Sequence, residues 1–73
     1  MKSFYHFMMQ YRGNKQLDDP KKLADWMFYD HSFPKHAKDY DEISDYIEWH
    51  TPFPEAIVTF DQLWELYIEE VRP

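Results

Sequence analysis

Apolar side chains recur along this chain at helical spacing, and no segment alternates apolar and polar residues as a half-buried strand would. The first stripe is Phe4, Phe7, Met8 and Tyr11, at i, i+3, i+4 and i+7 within Ser3 to Arg12. Ser3 is placed to cap this helix, and Gly13 stands where a left-handed residue would close it. A polar loop, Asn14 to Asp18, follows. Asp19-Pro20 opens a second helix, a capping acceptor followed by proline at the first helical position. Leu23, Ala24, Met27 and Phe28 form its apolar stripe, with Trp26 and Tyr29 on the flanks. Phe33-Pro34 must end it, because proline drives the preceding residue out of the helical region. His31 to Lys38 is then a short basic linker.

A third helix is predicted from Asp39, where Asp39 and Glu42 have the spacing of a capping box. Tyr40, Ile43 and Ile47 face the core, with Tyr46 and Trp49 beside them. Thr51-Pro52-Phe53-Pro54 breaks the chain, and Glu55 to Val58 can form a short helical turn. The last helix is predicted from Thr59. Thr59 and Gln62 make a second capping box, with Val58 and Leu63 as its hydrophobic staple. Phe60, Leu63, Trp64, Tyr67, Ile68 and Val71 then run down one face. The pattern predicts an all-α protein, a single domain over residues 1–73 built as a compact bundle of four to five helices.

Composition bears first on stability. A chain of 73 residues is small, and domains of this size bury only about 60% of their unfolded surface. Without cysteine, neither disulfides nor a thiolate zinc site can reinforce it. Six Phe, six Tyr and three Trp compensate, since each such side chain can bury roughly 150–250 Å². Phe4, Phe7, Phe28, Ile43, Ile47, Phe60, Trp64 and Tyr67 are the expected core. The aromatics outnumber what so small an interior can hold. Some of Tyr5, Trp26, Tyr29, Trp49 and Phe53 are therefore expected at the surface, where Trp and Tyr favour interfaces. His6, Gln10 and Arg12 interrupt any apolar leader segment, and no apolar run reaches the length of about 18 residues that a span requires. The expectation is a cytoplasmic protein without membrane association.

Charge divides the chain in two. The net charge is −6, yet residues 1–38 carry seven Lys/Arg against four Asp, and residues 39–73 carry one Arg against ten Asp/Glu. If Arg12, Lys15, Lys21, Lys22, Lys35 and Lys38 converge, they could grip phosphates, with a tyrosine or Phe33 as a stacking surface. Ordinary solvation is the competing reading, and the acidic remainder repels a polyanion. Asp61, Glu65 and Glu69 fall at i, i+4, i+8, and Asp41, Asp45 and Glu48 at i, i+4, i+7. Like charges so spaced weaken a helix by about 0.2–0.5 kcal/mol per pair. They read either as a docking face for a basic partner or as a surface that keeps an aromatic-rich domain soluble.

Candidate chemistry is sparse. His31 and His36, with Asp30 and Asp39 nearby, could be drawn as a metal site, but their spacing matches no zinc pattern. The preferred reading is a solvated linker in which Asp30, His31 and Ser32 satisfy helix-end backbone groups. No Ser/His/Asp arrangement, glycine-rich phosphate loop or cysteine nucleophile is present. The acids recur on polar helix faces, where water keeps them ionised, whereas acid–base catalysis needs a pocket that separates their pKa values. A non-enzymatic protein without metal or cofactor is expected.

Several pieces together resemble a known family. They are Ser3-Phe4-Tyr5, Tyr11-Arg12, Asp30-His31-Ser32-Phe33-Pro34-Lys35, Asp39-Tyr40, Glu42-Ile43-Ser44, Tyr46, Glu48, Phe60-Asp61, Trp64 and Tyr67. Across nearly the whole chain they look like the YozE-like family of short proteins from Gram-positive bacteria. The resemblance implies a bundle similar to the sterile alpha motif (SAM). It implies little about activity, nucleic-acid binding being suggested for the family by analogy of fold alone. The bipolar charge and the surplus aromatics give the expectation of a protein–protein interaction module, acting on a protein partner or by self-association. Trp26, Trp49, Phe53, Asp61, Glu65 and Glu69 are its candidate interface. The alternative is weak nucleic-acid binding through Arg12, Lys15, Lys21, Lys22, Lys35 and Lys38.

Overall fold

Ser3 starts the first element as expected. In the computed structural model, which describes residues 2–71, its hydroxyl accepts from the His6 backbone N–H at 3.1 Å and caps α1, Phe4–Met8. The helix then tightens into a 3-10 segment, Met9–Gly13, instead of running to Arg12 as one α-helix. Gly13 is not left-handed, and the chain leaves it in extended conformation at Asn14. The tighter winding gives the last carbonyls nearer N–H partners, so no left-handed cap is required.

The second helix, α2, is Asp19–Tyr29. Its N-cap is Asp18 rather than Asp19, and the Asp18 carboxylate accepts from the Lys21 N–H at 2.9 Å. Asp19 thereby enters the first turn, where the helix dipole favours an acid. The helix α3, Tyr40–His50, begins at the predicted cap, with Asp39 accepting from the Glu42 N–H at 3.4 Å. It closes on Thr51, which adopts φ 33° and ψ 66° in the left-handed region.

The last helix, α4, is Ala56–Val71 and starts three residues before the predicted cap. Thr59 lies buried inside it, with its N–H donating to the Glu55 carbonyl at 2.9 Å. The capping box at Thr59 and the staple from Val58 are therefore not made, and Val58 is exposed. Burial of Ala56, with Ile57 packed against the core, extends the helix past a local cap signal. Among the described residues there are four α-helices, one 3-10 helix and no strand. No helix among them is long and apolar enough to cross a membrane.

Phe4 organises the interior. Its ring meets Phe60 edge-on at 5.2 Å and Tyr67 edge-on at 5.5 Å, with Phe7 and Trp64 completing the surround. Leu23, Ala24 and Met27 from α2 and Ile43 and Ile47 from α3 close the core around them. The Tyr67 hydroxyl donates to the Lys2 carbonyl at 2.6 Å, which ties α4 to the start of the chain. Phe28 does not join this core and is 41% exposed, because α2 turns it outward under Arg12. Tyr40 sits at the rim, its ring against Phe60 and Trp64. Phe33, offered above as a stacking surface, is buried within the core.

Candidate interaction surfaces

The basic residues are largely occupied within the molecule. Arg12 Nε donates to Asp25 Oδ1 at 3.1 Å, and Lys21 Nζ lies 3.2 Å from Asp25 Oδ2. Lys21 also donates to the Arg12 carbonyl at 2.9 Å. Burial pushes the Asp25 carboxyl up, but hydrogen bonds from Arg12 and Lys21 outweigh it and hold the group below its usual range. The Arg12 guanidinium is stacked 3.7 Å from the centre of the Phe28 ring. Lys22 pairs with Asp19 at 3.7 Å, on the flank of Phe53. Lys35 lies over the ring of Tyr5 at 5.6 Å. Lys15 and Lys38 are exposed. The structure thus joins Arg12 and Lys21 around one carboxylate, while Lys22 and Lys35 take separate partners.

The linker binds α2 to α3. Asp30 accepts from the Ser32 N–H at 3.0 Å and from the Tyr46 hydroxyl at 2.6 Å. The Tyr46 ring stacks on His50 at 4.0 Å, and Trp26 packs edge-on to Phe33 and beside Tyr46 and His50. Burial and the Asp30 carboxylate push the Tyr46 hydroxyl up to about 12. Trp26 is consequently half-buried and offers only part of its ring as an interface. With Asp30 held by Ser32 and Tyr46, and Asp39 capping α3, the four groups flanking Phe33-Pro34 do not converge. Among the described residues no three His, Asp or Glu side chains gather as a metal site would require.

The acidic half presents a different surface. Ile43, Ser44 and Ile47 turn α3 inward, while Asp41, Glu42, Asp45, Glu48 and Trp49 are all exposed. Trp49 is 85% exposed and, with Glu48, lines a shallow groove of about 240 Å³. Phe53 is half-buried against the core cluster. On α4, Asp61 accepts from the Tyr40 hydroxyl at 2.7 Å, a bond that, with burial, raises Tyr40 above the ordinary tyrosine range. Glu65 and Glu69 are exposed further along the helix. Among the described residues every ion pair lies within residues 12–25, and none involves an acid of α3 or α4.

Two features escaped the sequence reading. The Arg12–Asp25–Lys21 cluster had only a partial signal, the i, i+4 spacing of Lys21 and Asp25. The left-handed Thr51 beside Trp49 had none, because glycine or asparagine is the usual residue there.

The fold and its surfaces can be set beside known proteins. Residues 3–69 match the family described as the YozE SAM-like fold. A UPF0346 protein of Bacillus licheniformis is 44% identical over 72 residues, 99% of either chain. The UPF0346 protein YozE of Bacillus subtilis is 44% identical over 99% of this chain and 97% of its own. The UPF0346 protein YuiB of Lactococcus lactis is 43% identical over 92% of this chain and 97% of its own. The solution NMR structure of Bacillus subtilis YozE is similar with a TM-score of 0.83 at 43% identity, covering 99% of this chain and 88% of that one. The SAM-like bundle implied by the sequence is the fold, and the chain belongs to the YozE SAM-like family.

Proposed function

We propose that this protein is a non-enzymatic, cytoplasmic interaction module that binds another protein through the outer face of α3, with Trp49 as its anchor. The supporting observation is the 85% exposure of Trp49, in a domain whose other two tryptophans are packed on neighbouring rings. Placing an indole in water forgoes the burial that stabilises so small a domain, whereas tryptophan is among the residues that most often dominate binding energy. Glu48 and the shallow groove beside the ring supply a polar rim for such a contact.

Affinity capture from a nuclease-treated lysate, with wild-type protein and Trp49→Ala side by side, tests this reading. A protein retained by the wild type and lost with the variant is expected. Equal recovery with both baits would remove Trp49 from the interface. Nucleic-acid binding has less support, because Arg12, Lys21 and Lys22 are paired with Asp25 and Asp19, and Phe33 is buried. Titration of single-stranded and duplex DNA and RNA at about 50 mM salt is expected to give no salt-dependent binding.

A further inference from the structure

We propose that the partner is a basic protein segment, rich in arginine or lysine, lying along the α3 stripe of Asp41, Asp45, Glu48 and Trp49; this rests on the interaction reading above. Asp41, Asp45 and Trp49 follow one another at i, i+4, i+8, and Glu48 adjoins them at i+3 from Asp45, so all four share one exposed face. From residue 41 to 49 a helix rises about 12 Å, the span of about four residues of extended chain. Such a segment can set cationic side chains against the carboxylates and one over the indole, the ring that binds cations best.

Charge complementarity carries the choice of occupant. The carboxylates of α3 and α4 have no cationic partner among the described residues, and like charges at this spacing oppose the helix that carries them. A bound basic segment removes that repulsion. A second copy of this chain suits the face less well, because Arg12 and Lys21 are held by Asp25, Lys22 by Asp19, and Lys35 lies on Tyr5. The exposed Lys2, Lys15 and Lys38 stand at separate places along the chain and not in one basic segment.

The test uses the full chain, labelled with nitrogen-15, and a ten-residue arginine–glycine repeat peptide, with a glutamine–glycine repeat as control. At low salt the arginine peptide is expected to shift α3 amides and the Trp49 indole N–H saturably, and the control to shift neither. Trp49→Ala is expected to weaken binding about two- to fivefold, and Trp49→Phe to recover part of the loss. Asp45→Asn is expected to weaken it more than Glu69→Gln on α4. Shifts centred on α4, or equal losses from Glu69→Gln and Trp49→Ala, would mean diffuse attraction and overturn the proposal. A Trp49-dependent dimer in sedimentation would also overturn it, by making a second copy the occupant. Absence of peptide binding while Trp49-dependent capture persists would sink the basic partner alone; absence of both would sink the interaction reading as well.

Discussion

At the scale of single residues, two side chains sit in environments with measurable consequences. Thr51 is left-handed, a conformation that costs an L-residue about 1–2 kcal/mol and suits β-branched side chains least. Glycine would relieve that strain while losing more chain entropy on folding. Thr51→Gly is therefore expected to stabilise the domain by about 0.5–1 kcal/mol, raising Tm by roughly 4 °C in thermal unfolding. A lower Tm would show that the threonine side chain makes a contact worth more than the strain. Tyr46 supplies a pH dependence, because its hydroxyl is pushed up to about 12 by burial and by Asp30, against an ordinary value of about 10. Between those values the folded chain keeps a proton that the unfolded chain has released. The stability from this group is thus complete below about pH 10 and is lost as pH rises through about 12. Tyr11, raised by burial and then by Glu70, and Tyr40 act in the same direction, so the comparison between variants isolates Tyr46. Tyr46→Phe is expected to cost about 1–2 kcal/mol at neutral pH, through loss of the hydrogen bond to a carboxylate. It is also expected to flatten the alkaline fall in urea unfolding.

At the scale of elements, α3 and α4 show how far local signals reach. The cap of α3 was legible because Asp39 lies next to an exposed first turn, where nothing competes with the local hydrogen bond. The cap of α4 was misread at Thr59, because Ala56 is buried and Ile57 packs on the core, and this packing pulls the preceding turn into the helix. Phe28 failed for the matching reason: its spacing fits the α2 stripe, but Arg12 offered a cationic face on the outer side of the helix. The acids of α3 were visible at sequence level, whereas their having no cationic partner among the described residues depends on where the lysines fold. Asp45→Asn reduces like-charge repulsion with Asp41 and Glu48, so it is expected to stabilise α3 by about 0.4–1 kcal/mol while weakening partner binding. Chemical denaturation alongside the peptide titration checks both effects. A loss of stability instead would give Asp45 a structural role.

At the scale of the whole molecule, the interior depends on a few large rings. A domain of this length has a total stability of roughly 4–11 kcal/mol, at about 0.05–0.15 kcal/mol per residue. Phe4 is fully buried and touches Phe7, Phe60, Trp64 and Tyr67, which come from α1 and α4. Phe4→Ala is expected to cost about 3–5 kcal/mol, enough to leave the chain largely unfolded at moderate temperature by circular dichroism. Trp49→Ala, at the opposite extreme of exposure, is expected to stay within about 0.5 kcal/mol of wild type. If Trp49→Ala also unfolds the domain, the indole belongs to the fold rather than to an interface.

The sequence by itself determined the all-α class, the number and order of the main helices, seven of the eight expected core residues and the separation of charge between the two halves. Each depends on spacing or capping within a single helix, or on a count, and such information is local. Only the tertiary structure decided which surplus aromatics are open and which carboxylate Arg12 meets. Trp26 is half-covered because the linker brings Phe33, and α3 brings Tyr46 and His50, against it. Trp49, one turn from covered Tyr46, faces water. Arg12 meets Asp25 because α2 packs beside the 3-10 segment, whereas Lys21 reaches the same carboxylate from one turn back along α2. Exposure, and a contact such as Arg12–Asp25, are properties of where separate segments meet, and periodicity within one segment carries no record of that.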